Sequence, residues 1–286
     1  MLNAEAVKKG QMSYAVMLDI NRGENRCSGV IISRHHILTA AHCFVKESQC
    51  LTGPELRNGT LSSATELPVE VHYGGTCVLL KEGGACSPSE VMNRVNASHI
   101  GVPRRYFTSK CHSGDIAVVE MEKPLPSAAT NFNYACLPSL TTKLQQKIAM
   151  AGFGRNPRGR SIREKHLEWI SLLRERFCDP SLYVGKDVFC LRGEQQFPCE
   201  GDSGGGVMQR ANSKMSFVMG VLSKGLSCED VWLALERSSD NQLAQFRGTV
   251  VTDTRKYLDW LCLHTGICEL HINRKTIKKE KIVMVY

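Results

Sequence analysis

The sequence has no cysteine pair or Cys/His quartet at zinc-binding spacing, although it carries 13 cysteines among its 286 residues. Structural zinc sites require closely spaced ligand pairs. Their absence leaves disulfides as the main use of the cysteines, and disulfides persist in oxidising compartments. An odd number leaves at least one thiol that is free, bonded to another chain or bonded to a segment outside this sequence.

Two signals of membrane insertion or export are also missing. No apolar run is long enough to cross a membrane. The first residues, MLNAEAVKKGQ, contain neither the apolar core nor the small-residue cleavage site of a signal peptide. Two N-glycosylation motifs, at Asn58 and Asn96, nevertheless favour secretion together with the cysteines. We therefore expect a secreted protein whose signal was lost through a truncated or alternative start.

Long blocks of one charge, internal repeats and low-complexity segments are absent as well. The formal net charge is +8, and about half of that excess lies in residues 271–286. A solvated basic tail over residues 266–286 is the interpretation that we favour. A nucleic-acid-binding function would depend on that tail alone, so we expect no nucleic-acid partner.

What the sequence does have is a series of short apolar or alternating runs between Gly, Pro and Asn turns. Their length and pattern predict an all-β fold. The predicted strands are Tyr14–Ile20, Gly29–Ser33, Ile116–Met121, Ile148–Ala151, Phe217–Leu222 and Thr249–Thr252. Two helices are predicted, at Thr254–Leu263 and within Asp230–Phe246. Residues 44–114 are interpreted as loop-rich and held by disulfides.

The stretch CEGDSGGG, from Cys199 to Gly206, is the most informative motif. Glycines permit backbone turns that aim N–H groups into an open pocket and let a substrate approach closely. The stretch alone is compatible with a tight turn, a phosphate-binding loop or an exposed nucleophile at Ser203. Two other stretches favour the nucleophile: a small-residue turn presents His42, and Asp115 precedes an apolar strand. A buried aspartate can orient an imidazole as a general base for a serine.

Three motifs in this order resemble the chymotrypsin/trypsin family of serine proteases. They are LTAAHC (Leu38–Cys43), GDIAVVEM (Gly114–Met121) and GDSGGG (Gly201–Gly206). The resemblance implies two antiparallel six-stranded β-barrels and a C-terminal helix, within a protease domain at 1–265. We expect the first barrel at about 1–125, the second at about 140–252 and the helix at about 254–263.

The resemblance also implies roles for individual residues. Ser203 would be the nucleophile, His42 the base and then acid, and Asp115 the group that orients His42. The N–H groups of Gly201 and Ser203 would form the oxyanion hole. No cofactor or metal is expected, and the partners would be protein or peptide substrates and protease inhibitors. The implied disulfides are Cys27–Cys43, Cys178–Cys190 and Cys199–Cys228, which leave Cys50, Cys77, Cys86, Cys111, Cys136, Cys262 and Cys268 unassigned.

The expected specificity pocket departs from the common family types. Phe197 stands where trypsin-like enzymes carry an aspartate at the pocket base, so Lys and Arg lose their charge partner. Ser223, Gly225 and Gly248 match the pocket walls, with Lys224 replacing a tryptophan. We predict a short, apolar pocket that favours small or medium apolar side chains before the scissile bond.

The start of the chain and one insertion raise further questions. In the family, the aspartate matching Asp202 pairs with a new N-terminal ammonium, but Met1-Leu2-Asn3-Ala4 replaces the family's Ile-Val-Gly-Gly-like start. Either the chain is incomplete there or Asp202 has another partner. The insertion Glu229–Arg247 is either a surface excursion or a cover over the cleft. An alternative function is that of a protease-like binding or scaffold protein with a lost pocket or activation.

Overall fold

The structure is a computed structural model. The described residues are 1–45, 50, 67–126, 132–157, 163–179, 185–212, 215–237, 247–268 and 282–285. They form two closed antiparallel barrels of six strands each, with short helices. This confirms the all-β prediction of two six-stranded barrels with a C-terminal helix.

The first barrel closes through hydrogen bonds between β7 and β8, in the strand order β7-β5-β2-β3-β4-β8. Its strands are β2 (Ala15–Ile20), β3 (Asn25–Ile31), β4 (His36–Thr39), β5 (Val69–Tyr73), β7 (Asn93–Pro103) and β8 (Ala117–Met121). Val16 and Leu18 of β2 point into the barrel core, whereas Met17 packs with Ala151 of the other barrel. Both faces of β2 are therefore buried, which explains its nearly continuous apolar sequence.

The second barrel closes through β9 and β11, in the order β11-β12-β15-β14-β13-β9. Its strands are β9 (Lys147–Gly152), β11 (Glu168–Arg174), β12 (Val188–Arg192), β13 (Gly206–Arg210), β14 (Ser216–Lys224) and β15 (Arg247–Asp253). Inward-facing Met150, Ile170 and Val251 are fully buried in its core. A separate two-stranded sheet, β6 (Cys77–Leu79) with β10 (Glu164–His166), joins the two halves.

Three α-helices are described: α1 (Arg104–Thr108), α2 (Cys228–Arg237) and α3 (Leu258–Thr265). Two 3-10 turns accompany them, at Ala41–Cys43 and Thr254–Lys256. Helix α3 is the predicted C-terminal helix, and its Trp260 and Leu261 pack with Val30 and Leu38 of the first barrel. None of the helices in the described part of the chain is long and apolar enough to cross a membrane.

The two ends of the chain each add a strand to the barrel that is distant in sequence. Strand β1 (Glu5–Ala6) pairs with β11 of the second barrel, although it lies in the range expected for the first. Strand β16 (Ile282–Val285) pairs with β7 of the first barrel. Residues 269–281 and 286 of the predicted tail lie outside the described residues.

The stretch from 44 to 114 contains more regular structure than its sequence predicts. Strands β5, β6 and β7 and helix α1 lie within it. The prediction underestimated β7 because six of its eleven residues are polar or glycine and most of its first half faces solvent. Two disulfides in this stretch, Cys50–Cys111 and Cys77–Cys86, agree with the expected cross-linking.

Four of the six disulfides lie outside that stretch. The structure joins Cys27–Cys43, Cys178–Cys190 and Cys199–Cys228, the pairs that the resemblance implied, and it adds Cys262–Cys268 after α3. Cys136, half-buried, is the free cysteine. The odd count thus leaves one thiol without an intrachain partner among the described residues.

Candidate active site

His42 and Asp115 form a pair at the junction of the two barrels. His42 lies in the 3-10 turn after β4, and Asp115 lies just before β8, which pairs with β4. Nδ1 of His42 is 2.8 Å from Oδ2 of Asp115, and the His42 main-chain N–H donates to Oδ1 at 2.9 Å. The two bonds fix both the position and the ring orientation of His42.

Asp115 is buried and receives hydrogen bonds from the second barrel. The Ser223 hydroxyl donates to its Oδ2 at 2.5 Å, and the Thr252 hydroxyl donates to its main-chain oxygen at 2.8 Å. Burial raises the pKa of Asp115, but the charge of His42 and the hydrogen bonds from His42 and Ser223 outweigh it. The pKa is held below its ordinary value, so Asp115 is a carboxylate at neutral pH.

The same pair determines the basicity of His42. Burial lowers the pKa of this imidazole, but the charge and hydrogen bond of Asp115 prevail and raise it above its ordinary value. The ammonium of Lys224 acts in the opposite direction. Nδ1 faces Asp115, which leaves Nε2 as the nitrogen available to a reacting group.

Ser203 lies next to the His42 turn because its loop packs closely against β3. The N–H of Ser28 donates to the Ser203 main-chain oxygen at 2.8 Å. Gly204, at φ +76°, passes so close to β3 and β4 that a Cβ would collide with Thr39 Oγ1 and lie 2.6 Å from the Ser28 oxygen. The glycines of GDSGGG therefore permit a close contact between the barrels.

Two N–H groups of this loop are free to meet a ligand. The N–H groups of Asp202, Gly204 and Gly205 all donate to main-chain oxygens of the protein. Those of Gly201 and Ser203 have no acceptor among the described residues. Gly201 adopts φ +92°, a conformation that glycine tolerates without strain. The alternation leaves a pair of donors flanking Asp202, an arrangement suited to a developing oxyanion.

Asp202 pairs with an N-terminal ammonium, the kind of partner that the family resemblance implied. Its fully buried carboxylate lies 3.2 Å from the ammonium of Met1, which is also fully buried. It also accepts N–H bonds from Gly154 at 2.7 Å and Cys199 at 2.8 Å. A Cβ at Gly152 or Gly154 would collide with this carboxylate. The sequence AGFG thus makes room for the ion pair.

Sequence reasoning missed the role of Ser28, a first-barrel residue that hydrogen-bonds the Ser203 loop of the second barrel. Its hydroxyl donates to the main-chain oxygen of Gly201 at 2.9 Å and accepts the N–H of Phe153 at 3.0 Å. No sequence signal marks Ser28, because its contacts are with residues more than 120 positions away.

Two glycines expected to line the pocket, Gly225 and Gly248, lie close to neighbouring side chains. A Cβ on Gly225 would lie 3.9 Å from Cγ of Pro198, in ordinary van der Waals contact. A Cβ on Gly248 would lie 2.9 Å from Cγ of Leu226. The gap between the Pro198 and Gly225 walls is therefore about one methyl group wide at that point.

Phe197 packs away from solvent and anchors the insertion. It is buried with Leu2 and Val231 and with the Cys199–Cys228 disulfide, and its main chain pairs with Leu2. The first part of the insertion forms α2, whose Trp232 and Leu235 pack against this cluster. The rest, 238–246, lies outside the described residues.

The remaining predicted sites can be placed briefly. Asn96 is exposed on β7, whereas Asn58 lies outside the described residues. Ligand atoms of Cys27, His42 and Cys43 lie close together. Because the two sulfurs are bonded to each other, they are not available as thiolate ligands for a metal.

The comparisons with known proteins agree with this geometry. The trypsin family model matches residues 2–76 and 87–232. The chain is 26% identical over 230 residues to the trypsin-like protease try-5 of Caenorhabditis elegans, covering 71% of this chain and 68% of that protein. It is 23% identical over 276 residues to phenoloxidase-activating factor 1 of Holotrichia diomphalia, covering 91% and 68%.

A third relative is transmembrane protease serine 11C of Mus musculus, 24% identical over 270 residues. The match covers 91% of this chain but only 52% of that protein. All three relatives are distant, but the family model spans well over half of the chain, and the barrels and motif order agree with it. The protein therefore belongs to the trypsin family.

Proposed function

We propose that this protein is a serine endopeptidase that hydrolyses peptide bonds through an acyl-enzyme on Ser203. The observation that carries the proposal is the pair of unoccupied N–H donors at Gly201 and Ser203, beside the oriented His42–Asp115 pair. A binding protein has no physical need for an oriented base and an oxyanion site beside one hydroxyl.

In the proposed reaction, Oγ of Ser203 attacks the scissile carbonyl carbon while Nε2 of His42 takes the hydroxyl proton. The carbonyl oxygen becomes an oxyanion and accepts hydrogen bonds from the two free N–H groups. His42 then gives its proton to the leaving amine, and the acyl group remains on Ser203. A water molecule, deprotonated by His42, attacks the ester and restores the serine. Asp115 stabilises the imidazolium throughout and keeps its own charge.

We also propose that the substrate residue before the cut is small or medium and apolar. No carboxylate occupies the position of Phe197, and the methyl-wide gap between Pro198 and Gly225 limits the size of an entering side chain. A cleavage profile of a peptide library tests this. Preference for Ala or Val supports the proposal, whereas a profile dominated by Lys or Arg refutes it.

The catalytic proposal is tested by labelling with an alkyl phosphonate, which reacts with an activated serine. Wild-type protein should be labelled at Ser203, and Ser203→Ala should not be labelled. A matched control is Ser33→Ala, which changes a serine that bonds His36 outside the active site and should label normally. Absence of label from folded wild-type protein would refute the enzyme hypothesis.

The second candidate is a protease-like binding or scaffold protein. The narrowed pocket and Lys224 at the cleft favour it, because both restrict the usual substrate path. Under this hypothesis the protein would bind peptides or protease inhibitors without covalent reaction with the phosphonate. The labelling experiment therefore separates the two candidates directly.

The cellular setting is proposed on the same basis. Six disulfides fit an oxidising compartment, so we propose that the protein is secreted, with protein substrates and protease inhibitors as partners. Residues 1–265 would be the catalytic unit, and 266–286 an appended basic tail. Glycosylation at Asn58 and Asn96 is part of this proposal and is tested by the mass of the secreted protein before and after glycosidase treatment.

A further inference from the structure

A second buried aspartate, Asp187, lies behind the candidate site and is not part of the reaction proposed above. It precedes β12 in the second barrel and is only 2% exposed. Its carboxylate faces the loop that leads into Asp115, across the junction between the barrels. A buried carboxylate requires hydrogen-bond donors, so the donors around Asp187 show which parts of the chain it holds.

Each oxygen of the Asp187 carboxylate is occupied by a donor from this loop. The Ser113 hydroxyl donates to Oδ1 at 2.6 Å, and the Gly114 N–H donates to Oδ2 at 2.7 Å. The hydroxyl of Tyr257, at the start of α3, also donates to Oδ2. Two adjacent residues immediately before Asp115 are thus held by a single carboxylate.

The local backbone is shaped for this contact. Gly114 adopts φ +84°, and a Cβ there would lie 2.8 Å from the Tyr106 nitrogen. At Gly185, a Cβ would collide with the Asp187 carboxylate and lie 2.8 Å from Cβ of Ser113. The loop before Asp115 and the loop before Asp187 therefore approach more closely than any residue with a Cβ at position 114 or 185 would permit.

The contact continues into the His42–Asp115 pair. Gly114 is bonded to Asp115, so the N–H group that donates to Asp187 lies one residue before the carboxylate that faces His42. The Thr252 hydroxyl, also from the second barrel, donates a hydrogen bond to the main-chain oxygen of Asp115. Two second-barrel contacts thus flank Asp115: the Thr252 hydroxyl on its main-chain oxygen, and the charged Asp187 carboxylate on the N–H of the preceding residue.

Charge-assisted hydrogen bonds of this kind are about twice as strong as neutral ones. Burial raises the pKa of Asp187, but the bonds from Ser113, Tyr257 and Gly114 outweigh burial and keep the pKa below its ordinary value. The carboxylate is therefore ionised over the pH range in which His42 titrates.

We propose that Asp187 is a positioning residue that fixes the Ser113–Gly114 turn and thereby the direction of the Asp115 carboxylate toward His42. The proposal rests on the proposed protease function, but its first consequence, the effect on His42, does not require turnover. A displacement of about 1 Å at a reacting group can cost about a hundredfold in rate.

The test compares Asp187→Ala with Asp187→Asn. Asparagine can keep its oxygen toward Gly114 and Tyr257 and turn its amide toward the Ser113 hydroxyl, which can accept as well as donate. It therefore retains the geometry without the charge, whereas alanine removes both. The matched control is Asp19→Ala on β2 of the first barrel, which removes a half-buried carboxylate that binds Arg26.

The first readout is the pKa of His42, measured by NMR in a Ser203→Ala background. The charged groups that face His42 are Asp115 and Lys224, and Arg105 faces the Tyr257 end of the Asp187 contact. None of them is changed by the variants. Asp187→Ala should move the pKa of His42 down toward its ordinary value, and Asp187→Asn and Asp19→Ala should leave it within about 0.3 units of wild type, roughly a twofold change in the equilibrium.

The second readout is kcat per labelled active site. Asp187→Ala should lower kcat by about tenfold to a hundredfold with little change in KM, and asparagine should recover most of the loss. The proposal is overturned if asparagine behaves like alanine, which would indicate a charge effect, or if Asp187→Ala lowers kcat no more than Asp19→Ala. An inactive wild type with the expected His42 shift would refute the proposed function and leave the positioning role standing.

Discussion

At the scale of single residues, His42 lies between two opposing charges. Asp115, at 2.8 Å, raises the pKa of His42, and Lys224 lowers it. Only neutral His42 can accept the Ser203 proton, so these two charges set the pH range in which the proposed reaction runs. The effect of Asp115 is the larger, so the pKa of His42 is raised even though Lys224 stands where the family usually has a tryptophan.

The pH dependence of kcat/KM follows from that balance. We expect kcat/KM to rise with pH and to reach half its maximum above pH 6.5, because the pKa of His42 is raised from that value. Asp115→Asn should move the midpoint down and cost about four orders of magnitude in kcat, the loss typical of this change in related enzymes. Lys224→Met should move the midpoint up.

Opposite shifts in the two variants, measured with one peptide substrate, would support this assignment. A wild-type midpoint below pH 6.5, or one that stays in place in both variants, would mean that another group controls the reaction.

At the scale of elements, the strands with strong apolar patterns were predicted well and the polar ones were not. Strand β2 (Ala15–Ile20) was predicted within one residue because both of its faces are buried. Strand β7 (Asn93–Pro103) was missed because its first half is largely exposed and polar. Hydrophobic periodicity reports burial, so an element with little burial leaves little signal.

Helix α2 illustrates a contact that periodicity cannot specify. A helix was expected within Asp230–Phe246 and begins at Cys228, but nothing in the sequence indicated that it would pack on Phe197. That contact joins residues about thirty positions apart, and it makes Phe197 a structural anchor for α2.

Removing the Phe197 ring should therefore destabilise the protein and loosen α2. Phe197→Ala should lower the free energy of unfolding by about 3–5 kcal/mol, the usual cost of emptying a buried aromatic site. Amide exchange in α2 should accelerate at the same time. The control is Leu233→Ala on the same helix, where the side chain is 36% exposed and the cost should stay below about 1 kcal/mol.

Chemical denaturation and hydrogen exchange of the two variants provide the comparison. If Phe197→Ala costs no more than Leu233→Ala, or leaves exchange in α2 unchanged, the anchoring role is wrong.

At the scale of the whole molecule, the two barrels are joined by buried polar contacts and by the chain ends. The ammonium of Met1 reaches Asp202 in the second barrel, and Ser28 of the first barrel supports Gly201. The motifs predicted which residues meet, since their order matches the trypsin family. They did not reveal Ser28, because its contacts depend on long-range folding and carry no local pattern.

The disulfides should contribute to stability according to the loops they close. Cys50–Cys111 spans 61 positions and Cys262–Cys268 only 6. In the chain-entropy model, these correspond to about 4 and about 2 kcal/mol. Replacing each pair with alanines should therefore reduce the free energy of unfolding more for Cys50–Cys111. Equal losses, or a larger loss for Cys262–Cys268, would mean that native packing rather than loop closure dominates.

The most direct measurement of the central claim is the release of the first product from an activated ester substrate. An acyl-enzyme predicts a rapid burst equal to one product per active site, followed by slower turnover, with the acyl group located on Ser203 by peptide mass mapping. Ser203→Ala should give no burst while remaining folded. Wild-type protein that gives no burst and carries no acyl group on Ser203, or a burst that persists in Ser203→Ala, would contradict the account.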